Sequence, residues 1–81
     1  MKKNLFITQK AKITRESYQI KISTEENTKK FPISLINNLY LFGKTEINRA
    51  TKNFLLSKNI DIYFLSYSGK LQGILTNTIF N

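Results

Sequence analysis

The 81-residue sequence has no cysteine, no histidine and no tryptophan, one proline, three glycines and five carboxylates. Each shortage removes a class of protein. Without cysteine there is no disulfide framework. Without cysteine and histidine a zinc site has no ligands, and a nucleophilic triad lacks its base. So few prolines and glycines exclude a low-complexity chain. No GxxxxGK[ST] or GxGxxG phosphate loop occurs. The Gly-Lys pair in "SGKLQG" (Ser68 to Gly73) has no helix after it and reads as a turn. Long apolar runs are also missing. Leu5-Phe6-Ile7 is far shorter than the roughly 7–15 apolar residues of a signal peptide or the roughly 20 of a membrane span. The expectation is a soluble, cytoplasmic protein with no membrane partner.

Paired-carboxylate chemistry needs two acids held together with shifted pKa values. The candidates are Glu16, Glu25, Glu26, Glu46 and Asp61. Glu25 and Glu26 fall in a polar, solvated turn. Glu46 lies just ahead of a helix, where negative charge suits the N-terminal end. Asp61 is the odd one, inside an apolar strand, and is expected to face solvent near that strand's start. A magnesium site of carboxylates alone has no spacing to support it.

What the chain has is basic charge. Thirteen Lys and Arg against five Asp and Glu give +8 and a pI near 9.9. Such a surface fits a nucleic-acid partner, or it only keeps the protein soluble, and charge alone leaves both readings open. Only Arg15 and Arg49 are arginines, the better bidentate readers of phosphate and guanine. Any contact is therefore expected on the backbone rather than the sequence of a nucleic acid.

At this length the chain is one domain that buries only about 60% of its unfolded surface. A thin margin of that kind favours a partner surface, through dimerisation or docking to another domain. Along the chain, Asn4–Gln9 reads as a strand, with Leu5 and Ile7 on one face and Phe6 and Thr8 on the other. Ala11–Arg15 is a second strand. In Tyr18–Ser23 the alternation places Tyr18, Ile20 and Ile22 inward. Thr24–Thr28 is a hairpin tip. Lys29–Ile33 returns with Pro32 at an edge or a strand end, and Ser34–Asn37 is a short 3₁₀-like turn.

Leu39–Phe42 is an apolar strand closed by Gly43, and Lys44–Ile47 is a brief extended piece. Asn48 is an N-cap for a helix near residues 49–58 that turns Ala50, Phe54 and Leu55 inward. Asn59 ends that helix. Ile60–Tyr67, apolar at nearly every position, implies a strand covered on both faces. Ser68-Gly69 turns into a last strand, Lys70–Leu75. The ten aromatic residues mostly alternate with Ile and Leu, which favours core packing over an exposed stacking platform. Tyr40 and Tyr67 stand apart because each hydroxyl needs a partner or water. The fold class is mainly β (α+β): a two-layer β-sandwich of about eight short strands with one helix near residues 49–58.

Residues 39–75 carry an ordered set of motifs. Phe42-Gly43 closes a strand, Thr45-Glu46-Ile47-Asn48 leads into a helix, and Asn59-Ile60-Asp61-Ile62-Tyr63-Phe64-Leu65-Ser66 is followed by Gly69 and Gly73. Upstream stand "KKNLFITQKAKITRESYQIKI" and "KKFPISLINNLYLFG". Together these resemble the N-terminal domain of the CRISPR-associated spacer-acquisition endonuclease/integrase family (Cas one), with the first of the two stretches matching its opening hairpin. A glycine usual in that family is Asn59 here, and both residues tolerate a left-handed turn.

The resemblance implies a β-rich dimerisation domain over residues 1–75. Residues 76–81 would begin a linker to an absent helical catalytic domain. It implies no catalytic residue and no metal ligand in this chain, a divalent metal (Mg or Mn) only for the parent enzyme, a homodimer, DNA, and a second CRISPR adaptation subunit as partners. The role is antiviral defence through spacer acquisition. Lys10, Lys12, Arg15, Lys44, Arg49 and Lys52 are the candidates for DNA contact, supplying as a set a weak, salt-sensitive attraction. The alternatives are a stand-alone basic nucleic-acid-binding module without enzymatic activity, and a structural docking domain with incidental charge.

Overall fold

The computed structural model describes residues 1–77. The expected linker start at 76–81 falls mostly outside them. Eight strands form two four-stranded sheets. The strands are β1 (Lys3–Ile7), β2 (Lys12–Glu16), β3 (Gln19–Ser23), β4 (Thr28–Pro32), β5 (Ile36–Phe42), β6 (Glu46–Ile47), β7 (Asp61–Leu65) and β8 (Leu71–Leu75). One helix, α1 (Arg49–Ser57), lies between β6 and β7. Sheet one has the order β1-β5-β7-β8 and sheet two the order β4-β3-β2-β6. None of the described helices is long and apolar enough to cross a membrane.

Local chemistry accounts for most boundaries. Asn48 caps α1, its side-chain oxygen accepting from the Thr51 N–H at 2.8 Å, and Asn59 leaves the helix at φ +60°. Pro32 ends β4, itself an edge strand, so its missing N–H interrupts no ladder. Gly43 closes β5 at φ +68°, with Tyr67 packed where a Cβ would stand. The segment from β5 through α1 to β7 is a crossover unit that pairs β5 and β7 in parallel.

The core follows from register. In sheet one, Leu5, Leu39, Ile62 and Leu75 form one inward row, and Ile7, Leu41, Phe64 and Gly73 form the next. Sheet two contributes Ile13, Ile20, Ile22 and Phe31. Leu55 and Phe54 of α1 close the space beside β2 and β7.

Four expectations change. The stretch matched to an opening hairpin splits: β1 goes to sheet one, and the hairpin is β2–β3. Tyr18 is not inward but lies in the β2–β3 turn, 70% exposed. Thr51, 1% exposed, takes the buried helix position expected of Ala50, which is exposed. The helix begins at Arg49 and buries Phe54 and Leu55, as expected; Thr51, three and four residues before them, shares their face. Finally, β7 is covered on one face only, with Ile62 buried and Tyr63 half-exposed. Asp61, its first residue, is half-buried, and its N–H donates to the Asn38 side chain at 3.3 Å.

Candidate docking face and nucleic-acid interface

The outer face of sheet one is built by three strands running in parallel. Because β1, β5 and β7 share direction and register, Phe6, Tyr40 and Tyr63 fall in one cross-strand row that continues to Ile74 on β8. The rings stack: Phe6 on Tyr40 at 4.7 Å and 14°, Tyr40 on Tyr63 at 4.6 Å and 8°. Beside them, Phe42, Leu65 and Leu71 form a second row. Phe6 is 59% exposed, Leu71 52% and Ile74 48%. Neither row contains a lysine or an arginine. On a chain of +8, this is an uncharged apolar patch on the outside of a small sandwich.

Stacking settles what the patch can offer. Tyr40 has both ring faces occupied and Tyr63 has one. The row therefore presents ring edges, hydroxyls and the outer faces of Phe6 and Tyr63 at its two ends, not a series of open ring faces for successive bases.

The outer face of sheet two is the reverse. Its rows are Lys12, Ser23 and Thr28; Thr14, Lys21 and Lys30; and Glu16, Gln19 and Pro32. Lys21 and Lys30 stand directly opposite each other, a like-charge pairing that costs stability. Lys30 donates to Glu16 at 2.9 Å. That hydrogen bond, then the charges of Lys30 and Lys21, hold the Glu16 carboxyl below its ordinary value.

The six expected DNA-contact residues come from β2, the segments flanking it and β6, and α1. Lys10 and Lys12 line a shallow concavity with Glu25 and Glu46, so acids partly offset them. Lys44 lies in the same region, two residues before Glu46, whose N–H bonds to the Ala11 carbonyl at 2.9 Å. Arg49 and Lys52 sit on the first turns of α1. Arg15 lies at the far end of β2, its guanidinium 3.7 Å over the Phe54 ring centre and its Nε donating to the Ser17 carbonyl at 2.9 Å. The residue type alone gave no sign of this packing. The inward row it shares with Ile20 and Phe31 explains it.

The carboxylates fit no metal centre. Glu16 is tied to Lys30, and among the described residues no three His, Cys, Asp or Glu come together. A cleft of about 270 Å³ opens between the β1 and β4 edges, lined by Leu5, Ile7, Ile22 and Phe31 with Glu26 and Lys29 at its rim. It contains no convergent catalytic groups.

A family model described as CRISPR associated protein Cas1 matches residues 5–80. A "CRISPR-associated endonuclease Cas1 3" from Thermodesulfovibrio yellowstonii is 27% identical over 74 residues, 90% of this chain and 23% of that protein. A solved Cas1 protein from Thermotoga maritima superposes with a TM-score of 0.84 at 24% identity, over 94% of this chain and 24% of that one. A partial Cas6-RT-Cas1–Cas2 complex gives 0.86 at 17% identity, over 94% and 24%. A Cas1–DNA complex gives 0.72 at 22% identity, over 80% and 24%. The chain thus spans about a quarter of the length of the proteins it matches.

Proposed function

The chain belongs to the CRISPR-associated Cas1 family as an N-terminal domain, and on that premise we propose that it is the non-catalytic part of a metal-dependent DNA endonuclease/integrase of spacer acquisition. It holds two copies together and adds auxiliary contact to DNA, in the cytoplasm, as one step of antiviral defence. The observation that carries this reading is the lysine-free face of sheet one. Two +8 chains repel each other, so association needs a surface where their charges are absent. The Phe6–Tyr40–Tyr63–Ile74 row is such a surface, and a two-fold dimer would cover it with its own copy.

The parent enzyme's Mg or Mn would supply phosphodiester chemistry from residues outside this chain, because among the described residues no three carboxylates come together. DNA contact is assigned to Lys10, Lys12 and Lys44 at one end of sheet two and to Arg49 and Lys52 on α1. The neighbouring Cas1–DNA and Cas1–Cas2 structures support DNA and a second adaptation subunit as partners. The alternative of a stand-alone basic nucleic-acid-binding module, which calls for an exposed aromatic platform, is disfavoured by the occupied faces of the aromatic row.

Light scattering over a concentration series tests the dimer. Wild type is expected to dimerise, and Ile74→Lys, at an exposed edge position, to stay monomeric with unchanged circular dichroism. Titration with duplex DNA at two salt concentrations, with and without magnesium, tests the rest. Salt-sensitive binding without cleavage is expected. Cleavage by this chain alone, or a wild-type monomer at high concentration, refutes the assignment.

A further inference from the structure

We propose that the corner between the β2–β3 turn and the C-terminal end of α1 binds one unpaired nucleotide, its base on the exposed ring of Tyr18 and its phosphate between Arg15 and Lys58. The proposal rests on the reading of the chain as a nucleic-acid-contacting domain and names a site within it.

Two cations share the Phe54 ring, and one of them also faces Tyr18. Arg15 stacks over Phe54 at 3.7 Å, and Lys58 Nζ lies 5.8 Å from the centres of both Tyr18 and Phe54. Among the described residues neither cation has an ion-pair partner. The acid nearest Arg15 in sequence, Glu16, points to the opposite face of β2 and is engaged by Lys30 at 2.9 Å, and the acid nearest Lys58, Asp61, opens β7. The Nε of Arg15 is spent on the Ser17 carbonyl, which fixes the fork while leaving its terminal nitrogens free for an anion.

Tyr18 is the unexplained member. Lys58 at a helix C-terminus complements the helix dipole, and Arg15 covers Phe54 in an ordinary cation–π contact. Neither role needs a tyrosine at the tip. Tyr18 touches Phe54 only in a tilted contact, 6.5 Å between centres at 50°, and stays 70% exposed.

The backbone holds it there at a cost. Ser17 adopts φ +59°, a conformation that L-residues other than glycine rarely take. The tip is braced from both sides, since the Ile33 N–H donates to the Tyr18 carbonyl at 2.9 Å while Arg15 holds that of Ser17. An open aromatic ring on a braced backbone, beside two cations without an ion-pair partner among the described residues, matches a planar base followed by a phosphate. Free sulfate would have no use for the ring, and an acidic peptide would have no base to lay on it.

The test is fluorescence anisotropy of a labelled oligothymidine and of a blunt duplex of equal length, titrated with the full chain. Tyr18→Ala is expected to weaken the single strand roughly five- to hundredfold and to leave the duplex unchanged. Tyr18→Phe, which keeps the ring, is expected to bind as wild type does. Lys58→Gln is expected to lower the salt slope for the single strand by about 0.7. Equal single-strand affinity in wild type and Tyr18→Ala overturns the site, whatever the duplex does. Tyr18-dependent single-strand binding without any duplex binding supports the site and instead refutes the duplex contacts assigned to the lysines elsewhere.

Discussion

Replacing Tyr40 by alanine tests the outer face of sheet one most directly. Tyr40 is the middle ring of three, stacked on Phe6 at 4.7 Å and on Tyr63 at 4.6 Å. Each aromatic pair is worth about 0.5–1.5 kcal/mol beyond its area, so two lost pairs remove about 1–3 kcal/mol. The half-buried side chain adds roughly 1 kcal/mol of lost burial. A domain of this size has about 4–12 kcal/mol in all, at about 0.05–0.15 kcal/mol per residue, so the variant should unfold at a clearly lower denaturant concentration. Urea unfolding followed by circular dichroism gives the number, and double-mutant cycles give its origin. Phe6→Ala and Tyr63→Ala should each couple to Tyr40→Ala by about 0.5–1.5 kcal/mol. They should add to one another within about 0.5 kcal/mol, because Tyr40 stands between them. In a dimer, wild type should gain stability with protein concentration and Tyr40→Ala should not. Coupling near zero in both cycles would refute the idea that the stack contributes energy.

The remaining predictions concern smaller devices. Asn48→Ala removes the acceptor for the Thr51 N–H and should cost about 1 kcal/mol in urea unfolding, whereas Asn48→Asp should cost nothing, since no acid occupies the first turn of α1. Ser17→Gly relieves the positive φ and should stabilise by roughly 0.5–1 kcal/mol after glycine's own entropy cost; a loss would mean that the turn is unstrained. The Glu16 carboxyl is depressed in the folded state by the Lys30 hydrogen bond, so its contribution is fully present above its unfolded value of about 4.3 and fades as pH falls through the lower folded value. Thermal melts of wild type and Glu16→Gln should therefore converge as pH drops below about 4, and a gap that persists at low pH would contradict the assignment.

Legibility in the sequence followed the range of the interaction. Asn48, Asn59, Pro32 and Gly43 act on residues one to four positions away, and their roles could be read directly. Tyr18 could not, because an alternation that began at Ile20 was extended one step into a turn. Thr51 was legible from spacing, since it stands three and four residues before Phe54 and Leu55, whereas Ala50 is five from Leu55 and falls off that face. The aromatic row escaped altogether. Phe6, Tyr40 and Tyr63 align only because three strands distant in sequence lie parallel in one register, and no local pattern records that. Among the expected DNA contacts, spacing could place Arg49 and Lys52 on one helix. It could not show that Arg15 is engaged with Phe54, or that Glu25 and Glu46 accompany Lys10 and Lys12.

The parallel pairing of β1 with β5 has a kinetic side. Lys3 meets Ile36, so β1 waits for more than thirty further residues before β5 can pair with it, and closing so long a loop is entropically slow. The hairpins of sheet two need only short turns and can close at once. Leu5, Phe6 and Ile7 therefore spend the interval without a strand partner, and the inner face of the half-built second sheet is an apolar surface on which Leu5 and Ile7 can wait.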